Sequence, residues 1–432
     1  MGLKREDPMP FHDLMLDTNA WNTWSPRKEI APAFQVDPQG GVGGRPALLI
    51  QGNDNPVACG CWQLVLPHLE KGRRYRVEAS FTTSGVTSPG KSVRAILTRG
   101  SNQFYAHLDP ANQQGGWHQL GFDWNHDESV PGMTLGLFLA WSQKGSVRWG
   151  EVRLYDLTAR QGNDAPLVRL AAISGNPEKP ESPAQCLDFY AGRIETLEGH
   201  VDLVCLPELI NTTRLPGDPG TWAEPIPGPS SERLSTIAQE RGMYIAASIL
   251  ESQGKAIYNT GLLIDRSGGL VGKYRKTQLT LGEGLLHGYT PGDELAVFHT
   301  DFGPVAYMIC YDGHYPEVAR LLALKGAKVI LFSNMGDGRE GGGLWESVVR
   351  TRAVDNQVHI VAAVNGARSC VVSPKGELLA MTDRTPGSIA VADCDLSASL
   401  CDSTKRAIYG RYDQLRRADL FGDLGKHFWD SV

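Results

Sequence analysis

The sequence predicts two folded units, an all-β domain followed by an α/β domain, and three observations carry that prediction. From about Trp21 to Leu157, short alternating runs such as "RYRVEASF", "SVRAILTR" and "TLGLFLAW" are separated by Gly, Pro, Asn and Asp clusters, with almost no helical period. Past the polar joint "TARQGNDAPLVR" the pattern switches to apolar strands alternating with helical stretches, as expected of strands buried on both faces. The length, 432 residues, is also long for one compact domain. The expected units are a β-sandwich or jelly roll over 1–162, an α/β domain over 167–396 and a tail over 397–432.

Seven of the ten tryptophans precede residue 150. In a sandwich these are core or rim fillers, or stacking platforms for sugars, so carbohydrate is a candidate partner of the first domain. In the second domain "LVRLAAIS" reads as a buried strand. Ser182 and Pro183 then supply an N-cap and N1 proline for a helix running to about Gly199. "VDLVCLPEL" is the next strand, and Ser231 is expected to cap the helix "ERLSTIAQERG". The strands "YIAASILE", "AIYNTGLLID" and "LVGKYRK" follow, the last two joined by the turn "RSGG". Then come the strand "VAYMIC", a helix from Pro316 to Gly326, "KVILFSN", a glycine-rich loop, the helix "WESVVRTRAVDNQ", "HIVAAVNG", the hairpin "CVVSPKGELLA" and "GSIAVADCDL". The tail carries Tyr409, Tyr412, Phe421, Phe428 and Trp429, and is expected to dock on a neighbouring subunit rather than leave them in water.

Composition excludes several classes of function. Lys and Arg total 42 against 48 Asp and Glu, a net charge of −6 that offers no basic surface to a nucleic acid. No apolar run is long enough to span a bilayer and no secretory h-region is visible, so a cytoplasmic protein is expected. Of the eight cysteines, only Cys59 and Cys61 are close, short of a zinc site, and no phosphate or dinucleotide motif is present. No metal or organic cofactor is expected.

Three positions share one context: an apolar strand ends and a chemically capable side chain stands where the chain leaves the sheet. They are Glu208 after "LVCLP", Lys276 after "GKYR" and Cys310 after "VAYMI". Strand ends are where α/β proteins build their sites. A thiol needs a base or a field to act as a nucleophile at neutral pH. Glu208 suits the base, Lys276 suits stabilisation of a tetrahedral oxyanion, and the backbone N–H of Tyr311 is a candidate second donor. Taken singly, each position is more ordinarily a core cysteine, a turn acid and a solvated hairpin lysine.

Together they are recognisable. "DLVCLPEL", "GKYRKTQL" and "MICYDGHYPEVARLLALKGAKVIL", with the trailing "RTRAVDNQVHIVAAVN", resemble in order the Glu, Lys and Cys motifs of the nitrilase superfamily, the carbon-nitrogen hydrolases, over about Leu167 to Leu396. The resemblance implies an αββα sandwich assembled as a homodimer or larger oligomer, with Glu208, Lys276 and Cys310 as triad. It also implies a supporting glutamate between the Lys and Cys motifs, for which Glu283 is the candidate. Gln278 stands where members commonly have His, which blurs the subfamily. "ICYDGHYPE" is closer to the amidase and carbamoylase branches than to true nitrilases.

Asn334, Met335 and Trp345, around the glycine-rich loop, are candidate pocket residues. His287 and His314 are read as surface histidines within reach of the site. The expected activity is thiol amidohydrolysis of a small carboxamide or carbamoyl substrate, which on this reading extends to a glycoconjugate. The rivals are acyl transfer from the same thioester and a glycan-binding protein with a degenerate hydrolase domain. The first domain looks like galactose-binding-like jelly rolls on strand pattern and aromatic content alone.

Overall fold

The computed structural model describes residues 11–99, 103–107, 109–126, 132–158, 167–336, 343–396 and 420–422. These fall into two compact units, residues 11–158 with 420–422, and residues 167–396. The tail expected to dock on a neighbour lies almost wholly outside the described residues.

The first unit consists of two antiparallel sheets. One has the order Ala33–Asp37, Ala47–Gln51, Ser146–Asp156, Arg73–Ser84, Trp117–His126, Asp109–Gln114, with Phe11–Asp13 also pairing Ser146–Asp156. The other runs Asn22–Trp24, Cys59–Val65, Met133–Ala140, Val93–Arg99, Gln103–His107. A single hydrophobic cluster is filled by Leu48, Val77, Ala79 and Val147 of the first sheet and Trp62, Leu97, Leu135 and Leu137 of the second, which is the packing of a β-sandwich. Trp21, Trp62, Trp124 and Trp149 belong to this core, whereas Trp24 and Trp141 are exposed.

In the second unit, strands and helices are numbered from its start. One six-stranded sheet has the order β5 (Leu270–Arg275), β4 (Ala256–Ile264), β3 (Tyr244–Gln253), β2 (Leu203–Cys205), β1 (Val168–Ile173), β12 (Ile389–Cys394). The other has the order β6 (Val297–Thr300), β7 (Gly303–Ile309), β8 (Val329–Asn334), β9 (His359–Val364), β10 (Cys370–Val372), β11 (Leu378–Met381). The centre of each sheet is parallel, β1-β2-β3 and β7-β8-β9, and the flanking pairs are antiparallel.

Strand periodicity dictates the layers. Along β1, Leu170 and Ala172 pack into a cluster shared with β7, β8 and β9, while Ala171 and Ile173 pack against α1 (Pro183–Glu195) and α2 (Pro229–Arg241). Along β7, Tyr307 and Ile309 enter that central cluster, while Ala306 and Met308 pack against α3 (Pro316–Leu324) and α4 (Gly343–Asn356). Three hydrophobic interfaces thus separate four layers in the order α, β, β, α. No described helix is long and apolar enough to cross a membrane.

Local details depart from the sequence reading in two places. Ser182 does cap α1, accepting from Gln185 N–H at 3.3 Å, but that helix ends at Glu195, well short of Gly199. Helix α2 begins at Pro229, so Ser231 sits at its third position and not at the cap. There its hydroxyl accepts from Gly228 N–H at 2.9 Å, the return half of a capping box, because Pro229 tolerates N1 without a donor.

His359 opens β9 and is buried, and burial pushes its imidazole down to about 4. Unfolded, it takes a proton near its ordinary value of about 6.5. Because the folded value is the lower one, its contribution is fully present above pH 6.5 and is lost as pH falls toward 4. Thermal melts of His359→Leu should therefore fall less steeply between pH 6.5 and 4 than those of the parent; parallel curves would refute this origin of acid sensitivity.

Candidate active site

The carboxyl ends of the parallel strands of both sheets meet. Glu208 follows β2 by way of Leu206 and Pro207, Cys310 follows β7, Asn334 ends β8 and Asn365 follows β9. Hydrogen bonds tie the sheets at this end, among them Ser333 Oγ donating to Leu206 O at 2.7 Å and Asn365 Nδ2 donating to Glu208 O at 2.8 Å. Lys276 arrives from the antiparallel edge, immediately after β5, its N–H still bonded to Asn259 O of β4 at 2.9 Å.

At the centre is a buried ion cluster. Lys276 Nζ donates to Glu208 Oε1 at 3.0 Å and to Glu283 Oε1 and Oε2, both at 2.8 Å. The lysine and Glu208 side chains are 1% and 3% exposed, values low enough to rule out solvated roles for both. Desolvation works against the Lys276 charge, but the charges of Glu208 and Glu283 and the hydrogen bond to Glu283 outweigh it and hold the ammonium above the ordinary lysine range. Burial pushes Glu283 up. The Lys276 charge and hydrogen bonds from Lys276, Thr280 N–H and Asn259 more than offset that, and keep it below the usual carboxylate range. Glu283 is thus no exposed loop acid.

Cys310 sits at a sharp exit from β7, with φ +44°, a left-handed conformation that a non-glycine residue adopts at a cost. The chain then winds through a short 3₁₀ turn, Cys310–His314, before α3. Asp312 pins this exit. Its carboxylate accepts from Ile309 N–H at 2.9 Å, Tyr274 Oη at 2.7 Å, Thr277 Oγ1 at 3.1 Å and Gln278 N–H at 2.9 Å, bonding the Cys turn to the Lys segment. Burial, followed by the charge of Glu208, raises the Cys310 thiol well above the ordinary cysteine value, while Lys276 and the Met335 backbone N–H work to lower it. The resting group is a neutral thiol, and a base is needed to activate it. Glu208 Oε2 is buried with no hydrogen-bond partner among the described residues.

The other sequence candidates distribute unevenly. Met335 reaches the site through its backbone amide and contributes Sδ as an acceptor for Asn365 Nδ2 at 3.3 Å. Asn334 spends its Oδ1 on Gly336 N–H at 2.7 Å, closing a turn. Trp345 is buried and packs with Val318, Phe332 and Val349 in the core beneath α3 and α4. Residues 337–342 of the glycine-rich loop lie outside the described residues. Tyr311 rests against His314 and Tyr315, and both His314 and His287 are exposed. Among the described residues no three His, Cys, Asp or Glu side chains form a group able to hold a metal ion.

Three residues that sequence reasoning passed over complete the site: Asn259, Asp312 and Asn365. Asn365 obeys the same strand-end rule as the triad, following "HIVAAV", and was legible on that ground. Asn259 was signalled only as a polar residue inside the apolar strand "AIYNTGLLID".

Residues 169–404 match the family model described as carbon-nitrogen hydrolase. The omega-amidase NIT2 of Homo sapiens is 34% identical over 214 residues, 45% of this chain and 76% of the relative. The deaminated glutathione amidase of Homo sapiens is 27% identical over 287 residues, 61% of this chain and 85% of the relative. The fold is similar to that of a carbon-nitrogen hydrolase from Helicobacter pylori G27, with a TM-score of 0.53 at 23% identity over 61% of this chain and 99% of the other. It is also similar to that of an amidase from Nesterenkonia sp., with a TM-score of 0.50 at 24% identity over 61% of this chain and 98% of the other. A family model covering more than half of the chain, on a site with a thiol, a lysine and two carboxylates at converging strand ends, means that this protein belongs to the carbon-nitrogen hydrolases of the nitrilase superfamily.

Proposed function

We propose that the protein is a thiol amidohydrolase that cleaves the C–N bond of a small linear carboxamide or carbamoyl compound. The observation that carries this reading is a partly buried neutral thiol beside a buried carboxylate, one of whose oxygens has no partner among the described residues while the other is bonded to Lys276. Cys310 Sγ attacks the carbonyl carbon as its proton passes to Glu208 Oε2. Negative charge on the carbonyl oxygen develops toward the Lys276 ammonium and the Tyr311 backbone N–H. Glu208 returns the proton to the nitrogen as the C–N bond breaks, releasing ammonia or an amine and leaving a thioester. Water then attacks the thioester, Glu208 takes its proton, and the thiol is restored as the acid leaves. Glu283 keeps Lys276 charged and in place. The amidase relatives favour an amide over a nitrile substrate.

Cys310→Ala is expected to abolish ammonia or amine release while far-UV circular dichroism and melting temperature stay near those of the parent; retained turnover would refute a thioester route. Rapid quench of the parent mixed with an amide library should catch an acyl mass on Cys310, readable by intact mass spectrometry, that Glu208→Gln, lacking the base, does not accumulate. Competing amines would divert that acyl group only if the protein is a transferase. Lys276→Met should lower kcat/KM by roughly 10²–10⁴-fold and also destabilise the fold, since it leaves two buried carboxylates without their counter-ion.

For the sandwich domain, we read a saccharide-binding role, supported by Trp141, which is 56% exposed and held at φ +52°. Trp141→Ala is expected to lose retention on immobilised polysaccharides while turnover of a small amide is unchanged. Equal retention of parent and variant across the panel would count against it.

A further inference from the structure

Asn259 lies in the middle of β4, fully buried, with every polar atom of its side chain engaged. The direction of its amide follows from its neighbours. Leu209 N–H donates to Ser248 Oγ at 3.1 Å, so the single Ser248 hydroxyl proton is free to go onward to Asn259 Oδ1, 2.7 Å away. With Oδ1 taken as an acceptor, Asn259 must turn its two N–H groups the other way. They point at Glu208 Oε1, 2.7 Å, and Glu283 Oε1, 3.1 Å. Leu209 itself is a second non-glycine residue held left-handed at the site, φ +52°, directly after Glu208. The relay runs from the backbone beside Glu208, through Ser248 and Asn259, back to the carboxylate of Glu208.

A buried asparagine ordinarily does no more than satisfy its own hydrogen bonds. Here both amide protons are spent on acids, and on two of the three oxygens that Lys276 holds. The cluster contains two carboxylates and one ammonium, so Asn259 is the neutral donor that shares the excess negative charge. It also leaves Glu208 asymmetric: Oε1 has two donors and Oε2 has none.

We infer that Asn259 is a positioning residue for the reaction, fixing Glu208 through Oε1 so that Oε2 is the oxygen that exchanges a proton with Cys310. The inference rests on Glu208 acting as the base for Cys310, as proposed above. Without the amide, the Glu208 carboxylate is held by Lys276 alone and is free to rotate both oxygens toward the ammonium. Proton transfer then slows while substrate binding, which does not involve Asn259, persists.

The test uses the full chain, a small amide substrate and iodoacetamide as a probe of Cys310. Asn259→Ala should lower kcat at least tenfold with KM within about threefold, a loss inside the range of about 10²–10⁴-fold that acid–base assistance supplies. Alkylation of Cys310 should slow along with kcat, since it draws on the same proton acceptor. Asn259→Asp keeps the size and the acceptor for Ser248 but turns a third carboxylate oxygen toward the other two, and should be slower still. If Asn259→Ala fails to fold, Ser248→Ala, which frees the amide to turn and also removes the acceptor of Leu209 N–H, is read by the same two measurements and should show a smaller loss in both. Turnover within about twofold of the parent, or a fall in kcat with unchanged alkylation of Cys310, would overturn the assignment. If Cys310→Ala still turns over substrate, the proposed reaction fails; if it is inactive while Asn259→Ala is not, only the role of Asn259 fails.

Discussion

A lysine ammonium sealed between two carboxylates is the constraint on which the rest of the site depends. Each charge taken out of water costs several kcal/mol, and the mutual attraction of the ions offsets that only when the geometry is tight and the remaining valences are filled. Asn259, Thr280 and the three Lys276 bonds fill them. Among the described residues Glu208 Oε2 is left without a partner, and the thiol subject to that carboxylate's charge is Cys310. An unpaired oxygen in so costly an environment is where chemistry is expected, because everything around it has been arranged to tolerate it.

The backbone supports the same arrangement. Cys310 and Leu209 are both left-handed, and each is tied down by a nearby side chain, Asp312 within the Cys turn itself and Ser248 of β3 for the residue after Glu208. Asp312 joins the Cys turn to the Lys segment, and Asn365 joins the Glu backbone to β9. The strain at the site is therefore distributed over hydrogen bonds that cross between the two sheets, with the four-layer core holding both sheets in register.

What could be read in advance followed the strands. "LVRLAAIS", "VAYMI" and "HIVAAV" are apolar at all but Arg169, Ser174 and His359 because both faces are buried, and that signal is local. The strand-end rule found Glu208, Lys276 and Cys310 for the same reason: an ionisable or thiol group at the close of an apolar run is visible in a window of six residues. Trp345 was the harder reading, because a large aromatic beside a glycine-rich loop looks the same in sequence whether its helix turns it toward a pocket or toward the core. In α4 it turns toward the core. Ser231 was misjudged by three positions, since either a serine or Pro229 can begin a helix and only the backbone decides between them.

By itself the sequence determined the two kinds of domain, the order of strands and helices, and the three groups able to carry the chemistry, since all of these are written in periodicity and residue type along the chain. Tertiary structure alone decided that Glu283 belongs to the ion cluster, that Asn259 turns its amide toward both acids, and that Asp312 binds the Cys turn to the Lys segment. Those facts concern which atoms meet across separations of 7 to 51 residues. A hydrogen bond depends on direction and distance in space, and nothing in the local spacing of the chain encodes either.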